Sequence, residues 1–231
     1  MSGLPHAINE YLRDSRRQVK TPNDSSALAT GISKEYARFQ SIPLPLPTSD
    51  IRLVEASRRR SSCRDTTNNP PSIGQLGELF GIAMKQHEGG IHRPYPSGGA
   101  LYPIEAYVIG KIEDQENYIY HYQPKTHSLE KLWPIKDEDM IQVMKSSANQ
   151  ICPAVIVLTS RWFRSEQKYR DFSYNLSLLE AGHVAQNILL SSIAANLCTC
   201  PIGGFDERII SQLLDLFPNE EDPIYVITVS N

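Results

Sequence analysis

Lys168 and Tyr169 stand side by side in the stretch EQKYRDFSYN, just ahead of a long apolar segment. A lysine becomes a general base when desolvation lowers its pKa, and an adjacent phenol can share the proton traffic. The plain alternative is a surface Lys-Tyr pair. A second group lies in SRRRSSCR, Ser57 to Arg64, where Arg58, Arg59, Arg60 and Arg64 surround Ser61 and Ser62. Guanidinium forks match phosphate oxygens and hydroxyls fill the remaining acceptors, although a solvated basic turn has the same composition. A third group is RPYPSGGALYPIEAYVIG, Arg93 to Gly110. Pro94, Pro96 and Pro103 withhold N–H donors. Gly98 and Gly99 allow positive φ or close backbone approach. The N–H groups near Ser97 could then cradle a planar or anionic ligand, or merely close a tight surface turn.

Two further features are weaker alone. Glu180, His183 and Asn187 fall at i, i+3 and i+7 and share a helix face. Glu-x-x-His resembles half of a di-iron site, but such sites need two pairs, so a buried polar stripe bonding a partner helix is the better expectation. CPIGGF, Cys200 to Phe205, places Gly203 and Gly204 where backbone could approach a ligand.

The elements that must position these groups are partly legible. A short helix is possible around Ile8 to Gln18. Residues 1 to about 50 read as an arm or linker, with Pro43, Pro45 and Pro47 enforcing extended backbone. IRLVEASRRRSSCRDT begins as a helix and ends in a basic turn. Ser72 caps a helix that carries Leu76, Leu79, Phe80, Ala83 and Met84. EAYVIGK and NYIYHYQ form a strand pair, DEDMIQVMKSSANQ a helix, and PAVIVLTS an interior strand. Leu178 to Leu197 has only a narrow polar stripe and should be buried. Asp206 caps a last helix, and DPIYVITVS ends the chain as a strand. Helices and strands mix without strict alternation, which favours an α+β fold.

The totals narrow the function classes. The 231 residues carry a formal charge of -3, with a pI near 6.1, so no basic footprint points to nucleic acid. No apolar run reaches membrane-span length, and the N-terminus lacks an apolar signal core. A cytoplasmic protein is expected. Cys63, Cys152, Cys198 and Cys200 show no disulfide-scaffold spacing, and the lone C-x-C has no second pair to complete a zinc site. Packing thiols in a reducing compartment are expected, with no metal.

Taken in order, RRRSSCR, RPYPSGGALYPIE, KYR followed by LLEAGHVAQN, and CPIGGF resemble the flavin-dependent nitroreductase superfamily. Within it they resemble the SagB/ThcOx-type dehydrogenases, over roughly residues 52 to 229. The resemblance implies a nitroreductase-like α+β domain over 51–231, its mostly antiparallel sheet flanked by helices. It also implies an intertwined homodimer with FMN at the subunit interface. Arg60, Ser62 and Arg64, with Arg58 beside them, would hold the phosphate. Pro96, Ser97, Gly98 and Gly99 would contact the flavin, and Gly203 and Gly204 would offer backbone groups near its ring. Gln186 and Asn187 lie on the matching helix, either touching FMN or only packing. Lys168 would be the base, with Tyr169 as its partner or as an acid/base itself, in oxidising a thiazoline or oxazoline of a ribosomally made peptide to the azole. A cyclodehydratase is the expected neighbour. Two departures stand out. RRSSCR carries one more small residue than the usual Arg-Ser-x-Arg, and Phe172 and Asn175 stand where arginines are common. An NAD(P)H-dependent nitro or quinone reductase, or a non-catalytic scaffold subunit, are the competing readings.

Overall fold

The computed structural model describes residues 4–17, 33–64, 69–146 and 152–231. In chain order the elements are α1 (Leu4–Arg17), β1 (Gln40–Pro43), α2 (Leu53–Arg59), α3 (Ile73–Ala83), β2 (Ile104–Gly110), β3 (Tyr118–Gln123) and β4 (Ser128–Pro134). They continue as α4 (Asp137–Ser146), β5 (Ala154–Arg161), α5 (Phe163–Tyr169), α6 (Phe172–Ala194), β6 (Cys198–Ile202), α7 (Glu207–Leu213) and β7 (Glu221–Ser230). The strands form one sheet in the order β1-β4-β3-β2-β5-β7-β6, and every described pairing is antiparallel.

Alternation along the central strands divides the core in two, as a period of two residues requires. Ile104, Ala106 and Val108 of β2 and Ile156 and Leu158 of β5 face α3 and α6. Tyr107, Ile109, Val155 and Val157 face the opposite layer with α4 and α7. Both faces are covered, so these strands read as continuous apolar runs. Ser72 starts α3 with a capping box, its hydroxyl accepting from the Gln75 N–H while the Gln75 side chain accepts from the Ser72 N–H. No helix among the described residues is long and apolar enough to cross a membrane.

Three sequence readings change. The proline segment expected as a free arm joins the sheet, since β1 pairs with β4. Leu44 behind it is buried, and the Pro45 carbonyl accepts from His127 Nε2 at 3.0 Å. The thiols are not all free: Cys63 and Cys198 form a disulfide, and Cys152 and Cys200 remain as buried thiols. The two cysteines lie 135 residues apart, so no local spacing betrays the pair. Finally, α6 is apolar on more than its core face, leaving Leu178 and Leu179 exposed.

A chain of buried charges crosses the sheet beneath the third sequence group. His121 is fully buried, with Nδ1 at 2.7 Å from Glu130 Oε2 and Nε2 at 3.1 Å from Glu105 Oε2. Carboxylates only accept, so both ring nitrogens must donate and His121 is an imidazolium. Burial favours its neutral form, but the hydrogen bonds from Glu105 and Glu130 outweigh that and raise its pKa. Burial likewise pushes Glu105 up, yet Arg164 and His121 hold it down at about 2.

Two outcomes follow from this packing. Gly77 on α3 meets the Pro45 backbone, and a methyl group there would lie 2.5 Å from its carbonyl oxygen. Helix propensity alone would favour Gly77→Ala by about 1 kcal/mol, but overlap costs about 1–3 kcal/mol. Chemical denaturation should therefore show a net loss, with weakened docking of residues 44–47. The second concerns pH. Glu105 has a folded pKa below its unfolded 4.5, so its stabilisation is present above that value and disappears as pH falls towards about 2. His121 has a folded pKa above its unfolded 6.5, so its contribution is complete below that value and is lost as pH climbs through the raised one. Denaturation midpoints across pH should show both limbs, and His121→Gln should abolish the upper one.

Candidate functional site

The Pro-Tyr-Pro-Ser-Gly-Gly segment closes as a single 3-10 turn over Gly98–Ala100. Gly99 has φ +64°, and Ala100 (φ 55°) and Tyr102 (φ 48°) also occupy the left-handed region. A non-glycine residue there costs of order 1–3 kcal/mol and persists only where its surroundings impose it. Here they do. The Tyr102 N–H donates to Ser97 Oγ at 2.8 Å across the turn. Arg164 Nη1 donates to the Tyr102 carbonyl at 2.7 Å, and its Nη2 pairs with Glu105. Asn187 Nδ2 donates to the Pro94 carbonyl at 3.1 Å.

Arg164 and Lys168 are four apart on α5 and lie on one side of it. Because Arg164 grips Tyr102 and Glu105, Lys168 is laid over the glycines. A methyl group placed on Gly99 would sit 2.8 Å from Lys168 Nζ and 3.0 Å from the Tyr169 hydroxyl; one on Gly98 would sit 3.2 Å from Leu176 Cδ1. The Lys168 ammonium lies 5.3 Å from the Tyr169 ring centroid. Both side chains are half-buried, and Arg170 (φ 49°) ends the helix directly after them. Two of the four sequence groups, 96–99 and 168–169, thus meet at one place, with an amine and a phenol against the glycine backbone.

Glu180 of α6 reaches the same turn from below. It is 3% exposed. Oε1 has no hydrogen-bond partner among the described residues. Burial pushes its pKa up to about 7 against the pull of Ser97, Arg93 and Arg164. The expected polar stripe does not form, because Glu180 turns inward, His183 is exposed, and Asn187 bonds the Pro94 loop. Asn187 therefore positions the turn, while Gln186 is exposed.

The arginine segment ends α2 and runs on to Arg64. Arg58 and Arg64 are exposed, Arg60 and Ser62 half-buried. None of the four makes a side-chain hydrogen bond or ion pair among the described residues, whereas Arg59 pairs with Glu55. Cys63 ties this segment to β6, through its disulfide and by donating its N–H to the Thr199 carbonyl at 3.0 Å. Gly203 and Gly204 follow β6, exposed, with nothing within 4 Å of an added methyl group. Packing therefore does not demand glycine at either. Sequence reasoning missed Arg164 and Glu105. Only the i, i+4 spacing of Arg164 to Lys168 hints at the first. A cavity of about 430 Å³ around Lys34, Tyr36, Trp133 and Arg161 involves none of these residues.

Comparison with known proteins bears on the family and the fold. The chain is 27% identical over 186 residues to MJ1384 of Methanocaldococcus jannaschii, covering 78% of this chain and 91% of that protein. It is 27% identical over 167 residues to the microcin B17-processing protein McbC of Escherichia coli, covering 68% of this chain and 61% of McbC. The trifolitoxin-processing protein TfxB of Rhizobium leguminosarum is 26% identical over 147 residues, covering 60% of this chain and 39% of TfxB. A Ralstonia eutropha crystal structure superposes with a TM-score of 0.70 at 24% identity, over 83% of this chain and 89% of that one. A chain of the E. coli microcin synthetase McbBCD complex, with truncated pro-MccB17 bound, gives 0.65 at 20% identity, over 100% and 97%. The model described as "Nitroreductase family" matches residues 57–230. The chain belongs to the nitroreductase family.

Proposed function

We propose that this protein is an FMN-dependent azoline dehydrogenase, oxidising thiazoline or oxazoline rings of a ribosomally made peptide. The observation that carries the reading is the placement of Lys168 Nζ and the Tyr169 hydroxyl against Gly99. A glycine turn in left-handed backbone is joined there to an amine and a phenol. Similarity to McbC and TfxB, both named as processing proteins, supports the peptide class, and proteins of the family generally bind a flavin.

The residues present fit FMN. Gly98 and Gly99 leave a surface that a Cβ would fill. Arg58, Arg60 and Arg64, uncommitted among the described residues, supply the charge that a phosphate requires, with the Ser62 hydroxyl among them. When bound, FMN supplies the two-electron acceptor that ring oxidation needs. The chain supplies the rest. Lys168 takes the ring Cα proton, and the Tyr169 hydroxyl shares that proton or orients the amine. Pro96 and Ser97 fix the turn, and Gly203 and Gly204 present backbone to the ring from β6. Leu53, Val54, Leu178 and Leu179 are exposed apolar residues on α2 and α6, and a second copy of the chain covers them in a homodimer. A cyclodehydratase forms the azoline upstream, in the cytoplasm, and associates with this subunit.

Lys168→Ala should reduce turnover ~100- to 10,000-fold while flavin stays bound. The measurements are the flavin absorbance of the purified variant and mass analysis of an azoline peptide for loss of two hydrogens per ring. A colourless variant would make Lys168 a cofactor residue instead. Bleaching of the wild type by NADPH under anaerobic conditions, without peptide oxidation, would point to a nitro or quinone reductase. A wild type that cannot be loaded with FMN would point to a scaffold subunit.

A further inference from the structure

The disulfide joins two of the segments that the flavin reading assigns to the cofactor. Cys63 sits between Ser62 and Arg64, and Cys198 opens β6, which runs on to Gly203 and Gly204. β6 is the edge strand of the sheet. The Cys63 N–H also donates to the Thr199 carbonyl on this edge. Cys63 and Cys198 are both half-buried, so a small reductant can reach them. The other two thiols are shielded. Cys152 Sγ faces the Ala154 and Val229 carbonyls, and burial pushes its pKa up to about 11, which leaves little reactive thiolate. The protein therefore holds one exchangeable pair beside two inert cysteines.

We propose that Cys63–Cys198 is a thiol–disulfide exchange site through which dithiol reductants set how tightly the arginine segment holds the FMN phosphate. The inference rests on the flavin reading above. In the exchange, a thiolate of the dithiol attacks one sulfur and forms a mixed disulfide, releasing the other protein sulfur as a thiol. The second thiol of the reductant then displaces the remaining protein sulfur. Two electrons and two protons pass to Cys63 and Cys198, and the reductant leaves as its disulfide. With the bond closed, Ser62 and Arg64 are fixed relative to β6 and the two glycines. Once it is open, the covalent restraint on that register is gone, and the ligand must order more of the segment as it binds.

The test is FMN affinity, read by quenching of flavin fluorescence on apoprotein. It compares the air-purified wild type, the same protein after dithiothreitol, and Cys63→Ser with and without dithiothreitol. Oxidised wild type should bind FMN about tenfold more tightly than reduced wild type. Cys63→Ser should match the reduced form and ignore the reductant. Alkylation and mass analysis of the oxidised protein should label Cys152 and Cys200 after denaturation, and neither Cys63 nor Cys198. Equal affinity in both redox states, or four alkylated cysteines in the air-purified protein, overturns the switch and leaves the flavin reading intact. Absence of FMN binding in every state overturns the flavin reading and the switch with it.

Discussion

The site depends on the close approach of a glycine in left-handed backbone to the end of α5. Gly99 lies directly under Lys168 and Tyr169, so a Cβ there would be strained and would displace the Lys168 amine from its place over the loop. This constraint explains why the chain spends glycine and proline just ahead of a buried strand. The prolines stiffen the approach, the glycines open the gap, and the positive φ values at Ala100 and Tyr102 return the chain to the extended path of β2. A polar pair and a bare peptide surface are thereby held together by rigid elements on both sides.

That strained turn is held by charges rather than by apolar packing alone. Glu130, His121, Glu105 and Arg164 form a continuous buried series that ends on the Tyr102 carbonyl. Removing one member would leave its neighbour's charge uncompensated, at a cost of about 3–5 kcal/mol. The series thus links the α4–α7 side of the sheet to the position of α5, and hence to Lys168. Asn187 reaches from α6 and holds the other side of the loop, with Glu180 buried beside it. The helix that builds the core is also the floor of the site.

Much of this was legible from local chemistry, and the remainder fails for physical reasons. Ser72, with Gln75 three residues on, announces a helix start because both capping bonds lie within one turn. The apolar runs around Tyr107 and Ile156 announce strands covered on both faces. Lys168, Tyr169 and the Ser97–Gly99 turn stand out because their residue types serve chemistry better than packing. β1 escaped notice because prolines at Pro43, Pro45 and Pro47 resemble a free linker; an edge strand tolerates the missing donors. β6 gives no local strand signal because its pairing with β7 is set by tertiary contact, and Pro201 is tolerated at the sheet edge. The Cys63–Cys198 bond and the Arg164–Glu105 pair are long-range meetings, which no local pattern encodes.

The most direct measurement is a crystal structure of the FMN-loaded protein. The account predicts the flavin ring against the Gly98–Gly99 backbone, with Lys168 Nζ on the open side of the ring and the phosphate among Arg58, Arg60 and Arg64. A flavin bound away from that turn, or Lys168 separated from its ring by other protein atoms, would contradict it.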